Sequence, residues 1–135
     1  MHSVLGPELR YRIVIVEDEW MIAMDLSELL TEEGHEVCAI AGTEAAAVAA
    51  AARYAPDMII IDGHLGAGSG IAAMQQILAQ GPMPHVYMSG DCKGVRALSP
   101  RAVVIDKPFS MPSLLAAMAE ARRRCGMPSP SCMRA

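Results

Sequence analysis

Met58-Ile59-Ile60-Ile61-Asp62-Gly63 is a run of four apolar residues that stops at a lone carboxylate and a glycine. A continuous apolar run of this length reads as a strand buried on both faces, as in parallel sheets covered by helices. Three other runs share the plan. Ile13-Val14-Ile15-Val16 leads into Glu17-Asp18, Val86-Tyr87-Met88 into Ser89, and Val103-Val104-Ile105 into Asp106-Lys107-Pro108-Phe109. Set side by side in one parallel sheet, these runs bring Glu17, Asp18, Asp62, Ser89 and Lys107 to its carboxyl edge. That edge is where open α/β sheets bind ligands.

Amphipathic stretches separate the runs. Residues 20–33 read as a helix with Ile22, Leu26, Leu29 and Leu30 on one face and Asp25, Glu28 and Glu32 opposite, stopped by Gly34. A second strand covers 36–40. Thr43 is a good N-cap for a helix over 44–54, and Glu44 suits its positive end. The alanines at 45–47 and 49–52 need no meaning beyond helix formation. Ser69 or Gly70 opens a third helix with Ile71, Met74, Ile77 and Leu78 as its apolar side, closed by Gly81-Pro82.

Residues 90–101 carry Gly94 and Pro100 and little periodicity, which predicts a loop or a single turn. Ser110 caps the last helix, Pro112 fits its first turn, and Leu114, Leu115, Met118 and Ala121 face the sheet. The expectation is an α/β domain, a five-stranded, doubly wound parallel sheet over 11–125. An extension at 1–10 precedes it and a flexible tail at 126–135 follows.

Composition narrows the function. At 135 residues, 53% hydrophobic and 19% charged, the chain suits one globular domain. Its net charge of −4 argues against direct nucleic-acid binding, which wants clustered cations. The cluster Arg122-Arg123-Arg124 closes a helix, where it complements the dipole. No apolar run approaches the ~20 residues of a membrane span, and the start lacks a signal-peptide pattern, so a cytoplasmic protein is expected. Cys38, Cys92, Cys125 and Cys132 show no metal-binding spacing and read as reduced thiols, with little support for a redox pair between the last two.

The edge residues suggest phosphoryl chemistry. Three carboxylates gathered in a shielded site repel one another and call for protonation or a cation; Mg2+ suits such hard oxygen donors. Asp62, exposed beside a metal, can attack an activated phosphoryl group and form an aspartyl phosphate. Lys107 would neutralise one phosphoryl oxygen, and the Ser89 hydroxyl would donate to another.

On these residues the chain resembles a response-regulator receiver domain of bacterial two-component signalling, over 12–124. Glu17-Asp18 matches the family's acidic pair, Asp62 its phosphoacceptor, Ser89 its hydroxyl and Lys107-Pro108 its lysine with a typically cis peptide. The resemblance implies a flavodoxin-like sheet of strand order 2-1-3-4-5. It also implies Mg2+ held by Asp18, Asp62 and the main-chain carbonyl of His64, with Glu17 acting through a water. The His64 imidazole is not expected on the metal, since hard Mg2+ prefers oxygen. The implied partners are a histidine kinase or a histidine phosphotransfer protein and a downstream protein target, and such domains often form homodimers. Enzymatic activity would be confined to the domain's own phosphorylation and dephosphorylation.

Three departures from the family stand out. Gly66 occupies the position of a usual proline. Val104 replaces a common switch aromatic, for which Tyr87 is the nearest substitute. Only 17 residues separate Ser89 from Lys107, so the fourth helix should be short or absent. That last feature is similar to a subgroup of stand-alone alphaproteobacterial regulators. The competing reading is a phosphorylation-independent binding module with the same fold. A metal-dependent phosphatase fits less well, because His64 stands where its second Asp is expected. A flavin carrier would find its phosphate repelled by Glu17 and Asp18.

Overall fold

The computed structural model describes residues 10–126, so most of the predicted extension and tail, with Cys132, lies outside the described residues. Its elements are β1 (Arg12–Val16), α1 (Trp20–Glu32), β2 (Glu36–Ala41), α2 (Glu44–Tyr54), β3 (Met58–Asp62), β4 (His64–Leu65), β5 (Gly68–Ser69), α3 (Gly70–Leu78), β6 (His85–Ser89), α4 (Cys92–Leu98), β7 (Val103–Asp106) and α5 (Met111–Cys125). The main sheet runs β2-β1-β3-β6-β7, all parallel, while β4 and β5 form a separate antiparallel hairpin. With the hairpin set aside, this is the expected 2-1-3-4-5 order.

Strand periodicity divides the apolar runs between two layers even though both faces are buried. Val14, Val16, Ile59, Ile61 and Tyr87 pack with residues of α2, α3 and α4. Ile13, Ile15, Met58, Ile60, Val86 and Met88 pack with α1 and α5. All five residues of β3 are buried, as a central strand demands.

Caps set the helix boundaries. Thr43 accepts from Ala46 N–H, Ser69 from Ile71 and Ala72 N–H, and Ser110 from Ser113 N–H. Five expectations need correction. The buried stripe of α1 is Ala23, Leu26 and Leu30, whereas Ile22 and Leu29 flank it and remain exposed. In α3, Leu78 is exposed at the last turn, and the helix ends before Gly81. In α5, Ala117 and Met118 are buried, but Leu115 is only partly so.

The fourth correction is Arg122, which does not simply face solvent at the helix end. It is buried, lies 5.5 Å over the Tyr11 ring and donates to the Asp57 carbonyl. Residues 92–98 also form a helix of seven residues rather than a loop or single turn. Asp91 caps it by accepting Gly94 N–H at 3.1 Å, and Val95 buries its side chain against the core. Among the described residues, no helix is long and apolar enough to cross a membrane.

Candidate functional site

Register builds the site. β1 pairs Val16 with Ile61, so Glu17 and Asp62 leave the sheet side by side. β6 pairs Ser89 with Asp106, which delivers Lys107 one residue beyond. Lys107 N–H donates to the Ser89 carbonyl at 2.9 Å, and the Lys107-Pro108 peptide is cis.

Lys107 Nζ bridges the two acids, 2.8 Å from Asp62 Oδ2 and 3.0 Å from Glu17 Oε1. The other oxygens are also held, Asp62 Oδ1 by His64 N–H at 2.9 Å and Glu17 Oε2 by Glu19 N–H at 3.2 Å. Burial of the Glu17 side chain raises its pKa, opposed by the Lys107 hydrogen bond. Burial alone would lower the pKa of Lys107, but its bonds to Asp62 and Glu17 outweigh that and raise it. Lys107 therefore stays charged.

The residues expected at the site are together. Asp18, Asp62, His64, Ser89 and Lys107 line one cleft of about 640 Å³, with the buried Glu17 bonded to Lys107 at its floor. One oxygen each from Glu17, Asp18 and Asp62 lies within 4.8 Å of the others, and Asp18 is exposed. Three carboxylates against one ammonium leave the cluster negative. These hard oxygen donors fit a divalent cation such as Mg2+.

Ser89 Oγ accepts Asp91 N–H at 2.8 Å, which leaves its own O–H hydrogen to donate into the cleft. Tyr87 is buried, which raises the pKa of its phenol, and Ser99, just past the end of α4, lies beside it. Sequence reading missed three participants. Cys92 donates its thiol to Asp106 Oδ1 at 2.9 Å; burial and that carboxylate push the thiol up to about 11. Asp91 caps α4, a role its place between Gly90 and a short helix could have suggested. Glu44 reaches across to Ser69, a tertiary contact without a local signal.

Comparison with known proteins agrees with this geometry. The family model for the response regulator receiver domain matches residues 13–119. The transcriptional regulatory protein PdtaR of Mycobacterium tuberculosis is 35% identical over 113 residues, covering 79% of this chain and 54% of PdtaR. The phyllosphere-induced regulator PhyR of Methylorubrum extorquens is 31% identical, over 87% of this chain and 45% of that one. The chain thus spans about half the length of these relatives. Among solved structures, the receiver domain of Erythrobacter litoralis PhyR superposes with a TM-score of 0.79 at 26% identity, covering 92% of this chain and 98% of that one. PhyR from Brucella abortus gives 0.72 at 30% identity, over 83% of this chain and 47% of that one. The chain belongs to the response regulator receiver domain family.

Proposed function

We propose that this domain is a phospho-switch that accepts a phosphoryl group on Asp62 from a phosphohistidine donor. An Asp62 oxygen attacks phosphorus, the P–N bond breaks, and the donor imidazole leaves. Mg2+, held by Asp18, Asp62 and the His64 carbonyl with Glu17 behind a water, would neutralise charge on the transferring group. Lys107 pairs with one phosphoryl oxygen, and Ser89 donates to another. Enzymatic activity would be limited to promoting this transfer and the later hydrolysis of the aspartyl phosphate, which releases inorganic phosphate and restores Asp62.

The observation that carries this reading is the Lys107 bridge between Asp62 and Glu17. It keeps a cation within 3.0 Å of the two carboxylates where new negative charge would arrive. Output would pass through α4, tied at its start to Ser89 through Asp91 and ending at Ser99 beside Tyr87. The proposed partners are a histidine kinase or phosphotransfer protein upstream and a protein target, or a further phosphorelay member, downstream. The structures of Bartonella quintana PhyR are described as an anti-anti-sigma factor, which makes a protein target the natural choice.

One observation favours the phosphorylation-independent alternative: Tyr87 is already buried, so inward movement of an aromatic has nothing left to do. Beryllofluoride, a phosphoryl mimic, separates the two. With Mg2+ it should shift the amide resonances of Ser89, Asp91 and α4, and not in Asp62→Asn. Shifts confined to the residues around Asp62 would favour the binding module.

A further inference from the structure

The segment after Asp62 is Gly63-His64-Leu65-Gly66-Ala67-Gly68-Ser69-Gly70. Four glycines in eight residues make it costly to hold in one conformation. Leu65 is buried in the core and pins the inner strand of the hairpin. Gly70 N–H closes the base by donating to the Gly63 carbonyl at 3.2 Å. The outer strand is held from outside, by α2. Glu44 Oε2 accepts the Ser69 N–H at 2.7 Å, a charge-assisted bond.

Two close approaches indicate a built contact. A Cβ on Gly68 would lie 2.7 Å from Glu44 Oε2, so a glycine there lets the carboxylate reach the backbone. A Cβ on Gly66, whose φ is +48°, would lie 3.1 Å from Asp18 Oδ2. Ser69 also pairs with His64 across the hairpin and caps α3 through its Oγ. Fixing Ser69 therefore fixes the backbone of His64, whose N–H holds Asp62 Oδ1.

We propose that Glu44 is a positioning residue: its carboxylate latches the glycine-rich hairpin so that the His64 backbone and Gly66 stay registered against Asp62 and Asp18. The bearing on Mg2+ rests on the phospho-switch reading. The hydrogen bond to a loop that supports a metal is an outer-shell contact, and loss of such contacts costs about 10- to 100-fold in metal affinity. A purely structural role is the alternative, since an acid in the first turn of α2 also suits the helix dipole.

Glu44→Ala and Glu44→Gln distinguish them, because Gln keeps an acceptor oxygen and loses the charge. In metal-free protein, the Ser69 amide should exchange about tenfold faster in Glu44→Ala, as loss of one hydrogen bond to a charged acceptor implies, and Mg2+ affinity by calorimetry should fall about tenfold, the low end of the outer-shell effect. Glu44→Gln should recover most of both while still losing the part of the thermal stability that comes from charge at the start of α2. Unchanged Ser69 exchange in Glu44→Ala, or equal loss of Mg2+ affinity in both variants, overturns the latch. Wild-type protein that binds no Mg2+ overturns the phospho-switch reading instead, and the exchange rates still decide whether the latch exists.

Discussion

Lys107 carries two carboxylates, and its replacement tests how they share it. Removing one member of a buried ion pair costs about 3–5 kcal/mol, but the Lys107 side chain is 25% exposed and water screens the loss. We expect Lys107→Met to lower stability by about 2 kcal/mol at pH 7.5 in urea unfolding without metal. The pKa of Glu17, already raised by burial, should rise further without the ammonium. Protonation then favours the folded variant, so the deficit shrinks towards pH 5. Mg2+ should restore more stability to the variant than to wild type.

A second residue reports from the opposite end of the sheet. His35 is 2% exposed, stacks on Tyr11 with centroids 5.0 Å apart, and accepts Tyr11 N–H on Nδ1. Its Nε2 has no partner among the described residues. Burial, helped by Arg10, lowers its pKa to about 4 from 6.5. The folded state resists protonation, so this contribution is complete above pH 6.5 and is lost as pH falls towards 4. At about 1.36 kcal/mol per pKa unit the loss is on the order of 3 kcal/mol, partly offset by Glu17, whose shift has the opposite sign. His35→Gln should flatten the dependence of unfolding free energy over that window.

At the scale of elements, the β3–α3 connection is the tightest constraint. A Cβ on Gly70 would fall 1.9 Å from the Asp62 carbonyl oxygen, whereas one on Gly90 would meet nothing within 4 Å. Gly70→Ala should cost about 3 kcal/mol, the upper part of the overpacking range, and Gly90→Ala less than about 0.5. Urea unfolding of the two variants checks the contrast. The strands were legible because long apolar runs have one comfortable home, between two helical layers. Cap residues such as Thr43, Ser69 and Ser110 were legible because their chemistry is local. The face of α1 was read slightly off because Ala23, small enough for close approach to the sheet, carries no hydrophobic signal to rival Ile22 or Leu29. Burial of Arg122 depends on Tyr11 and Asp57, far away in sequence. The α4 helix rests on a single buried residue, Val95, and on the Asp91 cap, too little to stand out in a segment with Gly94.

At the scale of the molecule, five parallel strands end together and place a negative cluster, one ammonium and one hydroxyl around a single cleft. That these residues share one cleft was legible because each ends or closely follows a strand whose register is set by burial. What the chain does with that cleft depends on the chemistry of Asp62. The most direct test is the intact mass of wild type and Asp62→Ala after incubation with Mg2+ and either acetyl phosphate or a phosphorylated histidine kinase. The account predicts one added phosphoryl group on wild type, removed by hydroxylamine and absent from the variant. A folded, Mg2+-binding wild type that gains no mass from either donor, or an adduct that persists in Asp62→Ala, would contradict it.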